Sequence, residues 1–72
     1  MPYIAVKMWP KDPEVKKKFA ENLIKATVET VGCPPQAVTV SMEEIDPSDW
    51  EEKVVKGEIE PNKDRLTIIK GA

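Results

Sequence analysis

Apolar and polar positions alternate from Tyr3 to Trp9. Ile4, Val6 and Met8 point one way, and Tyr3, Ala5, Lys7 and Trp9 the other. A period of two predicts a β-strand. Pro10 ends it, because proline has no N–H to give to a ladder. The period then changes. Phe19, Ala20, Leu23, Ile24, Thr27, Val28 and Val31 recur three and four residues apart, while Lys16, Lys17, Glu21, Lys25 and Glu29 fall largely on the other side. That is the broad apolar stripe of an amphipathic helix. Asp12 is the predicted N-cap, Pro13 suits the first helical position, and Glu14 favours the positive end of the helix dipole. Gly32 is the natural stop. A helix over 13–31 is about 28 Å long, enough to cross a small sheet.

Cys33-Pro34-Pro35-Gln36 reads as a rigid connector. A second strand is predicted over 37–45, with Val38, Val40 and Met42 on one face and Ala37, Thr39, Ser41 and Glu43 on the other. Strand, long helix and strand make a βαβ unit, so the two strands are expected to be parallel neighbours joined by a right-handed crossover. The segment 46–57 reads as a short capped helix carrying Trp50. Residues 59–62 read as a loop, and 66–69 fit a short strand or a last helical turn, with an extended tail that reaches a neighbour as the favoured reading. The expected architecture is an α+β, β-α-β protomer forming one domain over 1–72. It has a short second helix, and its two-stranded sheet is completed by oligomerisation.

Length and composition sharpen that expectation. A chain of 72 residues buries only roughly 60% of its unfolded surface, which leaves it marginally stable by itself. One cysteine and no histidine exclude an internal disulfide and predict a reducing, cytoplasmic setting. Association of copies is the remaining common support for so small a scaffold. It also suits strands with apolar residues on both faces. A formal charge of −2 argues against a nucleic-acid surface, which needs a basic patch. No apolar run approaches the ~20 residues of a membrane span, and the amino terminus does not read as a signal peptide.

Without histidine there is no Ser-His-Asp or Cys-His pair. There is also no glycine-rich phosphate loop and no metal-ligand spacing. Acid–base chemistry would fall to a carboxylate, a lysine, Tyr3 or a terminal amine. The chain opens Met1-Pro2, and proline in second place is small enough for the initiator methionine to be removed. Pro2 would then be a secondary amine at the head of a strand. A model α-amino group titrates near about 8, and an apolar or cationic pocket lowers that towards neutrality. Such a base suits the movement of a proton between carbon and oxygen in a keto–enol pair.

An anionic substrate needs a cation. Lys11 lies just past the first strand, and Arg65, the one arginine, lies in the tail. At about 3.3 Å per residue, Lys11 is at least ~20 Å from its own Pro2. It reaches a Pro2 amine only across an antiparallel neighbour, and a two-fold dimer would make two equal sites in this way. Trp50 can wall such a pocket with its ring. Cys33 reads as a small buried residue, with no base beside it to activate the thiol.

These residues together resemble the tautomerase superfamily, in its short 4-oxalocrotonate tautomerase branch. The resemblance covers nearly the whole chain: the Met-Pro start on an alternating strand, a basic residue before a helix with an acidic start, and a second strand about thirty residues later. Ile45-Asp46-Pro47-Ser48-Asp49-Trp50, followed by Glu58-Ile59-Glu60-Pro61, looks especially like the PptA-like members. The resemblance implies a protomer assembled into dimers or hexamers. It also implies an amino-terminal proline as general base for ketonising 2-hydroxy-dienoates or arylpyruvate enols, and no cofactor. Pro2 matches the family base, and Lys11 stands where many members have a carboxylate-binding arginine. Trp50 stands at the family's aromatic wall, and Thr39 where dicarboxylate-specific members have a second arginine. Lysine at 11 keeps the charge but loses the bidentate fork, and threonine at 39 removes a charge. Both departures favour an aryl-substituted or monocarboxylate enol over a doubly charged one.

Two other functions fit the same residues. A Pro2 that stays cationic would act as an acid, and with Glu52 activating water it would support hydration or decarboxylation. A retained Met1 would acylate the proline nitrogen and leave a non-catalytic oligomeric binding module.

Overall fold

The computed structural model describes residues 1–70. Strand β1 is Tyr3–Met8, helix α1 is Pro13–Val31, strand β2 is Thr39–Glu44 and helix α2 is Glu51–Ile59. The strands pair in parallel, from Tyr3 opposite Thr39 to Met8 opposite Glu44. Two further bonds close the ladder: Thr39 N–H donates to the Pro2 carbonyl at 3.1 Å, and Ile45 N–H to the Met8 carbonyl at 2.8 Å. Trp9 lies beyond that last bond, so the strand ends one residue earlier than its alternation implies.

The pleat sorts the side chains as expected. Ile4, Val6, Met8, Val40 and Met42 are half-buried, whereas Tyr3, Ala5, Thr39, Ser41 and Glu43 are exposed. Helix α1 packs against β2, and Leu23, Ile24, Thr27 and Val28 are half-buried. Gly32 ends the helix at φ 81°, ψ 35°, and its N–H donates to the Val28 carbonyl. Glycine is suited to this left-handed cap because it carries no Cβ. The helix start differs from expectation. Asp12 makes no side-chain capping bond, and its backbone carbonyl accepts the first helical bond, from Lys16 N–H at 3.1 Å. Pro13 at the first position leaves one fewer N–H to satisfy.

The second strand also begins later than its alternation implies. Pro35–Ala37 winds into a single 3₁₀ turn, because Ala37 N–H bonds to the Pro34 carbonyl at 3.0 Å and Val38 N–H to the Pro35 carbonyl at 3.1 Å. Past β2, Asp46 Oδ1 accepts from Ser48 N–H at 2.9 Å and from Ser48 Oγ at 2.8 Å. This side-chain turn leads through a 3₁₀ turn at Pro47–Asp49 into α2.

Helix α2 is wound as a π-helix, and its closing bond runs five residues back, from Glu60 N–H to the Val55 carbonyl at 2.9 Å. The spacing of its apolar residues accounts for the winding. At about 100° per residue, Ile59 would sit half a turn away from Trp50. Winding with i→i+5 bonds stacks positions four and five apart, which brings Trp50, Val54, Val55 and Ile59 to one side. Val54 is buried, and the other three are half-buried. Among the described residues only Ile45 and Val54 are buried, each 6% exposed. Residues 66–70 have no regular structure, and Leu66, Ile68 and Ile69 are exposed there.

Candidate active site

Pro2 is half-buried at the head of β1. The bond from Thr39 N–H holds its carbonyl, so the first strand pairing fixes the backbone beside the proline ring. Met1 before it is fully exposed. The Thr39 side chain is exposed on the outer sheet face. There the Tyr3 hydroxyl and Ser41 Oγ lie 3.2 Å apart in a hydrogen bond.

Lys11 sits at the opposite end of β1. Its side chain is exposed and lines a groove of about 540 Å³ with Met8, Glu14, Val15, Lys18 and Phe19. The groove has an apolar floor and a charged rim. Trp50 is half-buried at the start of α2. Arg65 is exposed, and its guanidinium donates to Asn62 Oδ1. Of these five positions, the protomer brings Pro2 and Thr39 together by a hydrogen bond among the described residues. Lys11, Trp50 and Arg65 are held on other elements.

Sequence patterning missed Glu44, the last residue of β2. Its Oε2 accepts the Lys11 backbone N–H at 2.9 Å, and its Oε1 pairs with Lys16 Nζ at 3.3 Å. The Lys11 peptide bond, then the Lys16 ammonium, hold the Glu44 carboxyl below the usual carboxylate range. The alternation places Glu44 on the helix-facing side with Met42, so a partner on α1 was readable. The bond back to the β1–α1 loop was not.

A second cluster joins the sheet to α2. The Lys7 ammonium pairs with Glu58 and lies 3.9 Å from a Glu43 oxygen. The hydrogen bond that Lys7 donates to Glu58 raises the Lys7 pKa above the usual lysine value. Glu52, the carboxylate that a hydratase would need, is exposed and pairs with Lys56 Nζ at 3.3 Å. Cys33 is half-buried rather than enclosed. Among the described residues no three histidine, cysteine, aspartate or glutamate side chains gather as metal ligands. Among the same residues no helix is long and apolar enough to cross a membrane.

Comparison with known proteins agrees with this architecture. A family model described as "Tautomerase enzyme" matches residues 2–58. Tautomerase PptA of Pectobacterium carotovorum is 34% identical over 68 residues, covering 92% of this chain and 90% of the relative. Tautomerase PptA of Cronobacter sakazakii is 31% identical over the same length and shares. With a family match over most of its length and relatives of this similarity spanning nearly all of both chains, the protein belongs to the tautomerase family.

Proposed function

We propose that the protein is an isomerase that interconverts the enol and keto forms of an unsaturated or aryl 2-oxo acid, with Pro2 as general base. The observation that carries this is the setting of Pro2. Its carbonyl is tied into the sheet by Thr39, while Met1 is wholly exposed. Removal of Met1 therefore disturbs no packing and leaves a secondary amine on a fixed backbone. The amine takes the proton of the enol hydroxyl as the carbonyl forms. The same proton is then delivered to carbon, so the net change is one hydrogen moved from oxygen to carbon, and no cofactor is required.

Lys11 holds the substrate carboxylate, and Trp50 packs on the unsaturated part. Within one protomer Pro2 and Lys11 lie at opposite ends of β1, so the site is shared between copies. An antiparallel neighbour on the unpaired edge of β1 brings each Pro2 towards the other chain's Lys11. A dimer, or a hexamer built from three such dimers, meets that requirement. The exposed Tyr3, Trp9, Val15 and Phe19 give the copies apolar surface to bury. Thr39 supplies no charge, which favours substrates with one carboxylate. Arg65 lies close enough in sequence to the exposed tail to assist at a neighbouring site. A single cysteine suits a reducing cytoplasm.

Intact-mass measurement together with a Pro2→Ala variant tests the proposal. The expected result is loss of one methionine from the purified protein, and a fall of at least about 100-fold in phenylpyruvate enol ketonisation in the variant. Retained Met1, or unchanged ketonisation by Pro2→Ala, rejects Pro2 as the base.

A further inference from the structure

We propose that Glu44 is a positioning residue that sets the Lys11 backbone for substrate binding. This assignment rests on the proposed role of Lys11. Lys11 follows Pro10 and precedes the helix, so no strand or helix bond fixes its peptide group. The Glu44 carboxylate supplies the missing acceptor. Oε2 takes the Lys11 N–H at 2.9 Å, and Oε1 is held from the far side by Lys16 Nζ at 3.3 Å. Both ends of this bridge are rigid: Glu44 is the last paired residue of β2, opposite Met8, and Lys16 stands on the first turn of α1. The lysine side chain thus leaves a backbone clamped between sheet and helix, and its ammonium sweeps a smaller volume around the substrate carboxylate.

A substrate carboxylate does not change charge when the enol becomes a ketone. Its binding therefore contributes equally to ground and transition states and is read in KM. Glu44→Ala is expected to raise KM about five- to tenfold for phenylpyruvate enol, with kcat within about twofold. Glu44→Gln retains an oxygen acceptor for the Lys11 N–H, and is expected to restore KM to within about twofold of the parent. Lys16→Met removes only the outer support and is expected to shift KM no more than about twofold.

Combination with Lys11→Ala separates the two claims. Lys11→Ala alone is expected to raise KM, and Glu44→Ala added to it to change nothing further. A Lys11→Ala variant with unchanged KM overturns the role of Lys11. A raised KM in Lys11→Ala beside an unchanged KM in Glu44→Ala overturns the positioning role alone, as does a Glu44→Ala effect that persists in full without the lysine. Failure of Glu44→Gln to rescue also overturns it. Hydrogen exchange on the intact protein gives a reading that requires no folded variant: the Lys11 amide is expected to exchange well below the unstructured rate, and exchange at that rate overturns the bond.

Discussion

Thr39 N–H donates to the carbonyl of Pro2 at 3.1 Å. The contact is made by the backbone of residue 39, and its side chain stays exposed on the outer face. Position 39 can therefore vary in chemistry without releasing Pro2. Thr39→Val is expected to keep phenylpyruvate enol turnover within about threefold of the parent. Thr39→Arg, which adds a fork suited to a carboxylate, is expected to shift kcat/KM towards enol acids with two carboxylates by at least about tenfold. Parallel assays on one- and two-carboxylate enols check this. An unaltered ratio would remove Thr39 from the substrate site.

Gly57 lies inside the π-wound α2. A Cβ built there comes 3.1 Å from the backbone carbonyl oxygen of Glu52. In an ordinary helix interior, glycine to alanine gains up to about 1 kcal/mol. Here the obstacle is backbone one π-turn away, which cannot swing aside, and overpacking of this kind costs about 1–3 kcal/mol. The net expectation for Gly57→Ala is a loss of stability. For a domain of this size about 1 kcal/mol lowers Tm by roughly 4–8 °C. A thermal melt of the two proteins decides the sign. A rise in Tm would mean that the helix relaxes towards ordinary α winding.

The lowered Glu44 and Asp46 carboxyls and the raised Lys7 ammonium add pH-dependent contributions to stability on the acid and the alkaline side respectively. Glu44 is held down by the Lys11 peptide and Lys16, and Asp46 by the Ser48 backbone and hydroxyl. A depressed folded pKa contributes stability that is present above the unfolded carboxylate value, near about 4. That contribution is lost as pH falls through the still lower folded value. Lys7 is raised by its bond to Glu58, so its contribution is full below the unfolded lysine value near about 10.4 and is lost as pH rises through the folded one. Denaturation followed against pH is expected to lose its Glu44 share of the acid limb in Glu44→Ala, and its alkaline share in Lys7→Met. A Glu44→Ala acid limb identical to the parent's would contradict the first assignment.

The parts of the fold legible in the sequence were those set by local pattern. A period of two placed Ile4, Val6 and Met8 on the helix side, and Gly32 marked the end of α1 through a conformation that glycine favours. The failures have physical causes as well. Alternation extended both strands too far because it does not count ladder bonds: Ile45 N–H makes the last one at Met8, and the two prolines pull Ala37 into a 3₁₀ turn. The π winding of α2 was hidden because its driving spacing, Trp50 to Val55 to Ile59, fits neither of the periods used to read helices and strands. Glu44 was hidden because its partner Lys11 lies across the whole βαβ crossover, and that bond goes to a backbone N–H that carries no side-chain signature. Pro2 was legible as a candidate from its place alone, and its tether through Thr39 needed the strand register.

Met8, at the end of β1, lines a groove with Val15 and Phe19 of α1, and β2 leaves the other edge of β1 unpaired. In the proposed shared-site dimer, an antiparallel copy on that edge would complete the sheet, cover Phe19 and assemble Pro2 with the neighbouring Lys11 through one interface. A charge at position 19 opposes all three at once, because an unpaired carboxylate in a closing apolar contact bears a large desolvation penalty. Phe19 is 37% exposed in the protomer, so a carboxylate there keeps access to water in a separate copy. Phe19→Asp is therefore expected to lower the oligomer to monomer mass in size-exclusion chromatography with light scattering while a helical circular-dichroism spectrum persists. Ketonisation is expected to fall with the mass by at least about tenfold. An oligomer that survives Phe19→Asp would place the interface elsewhere, and a fully active monomer would end the shared-site proposal.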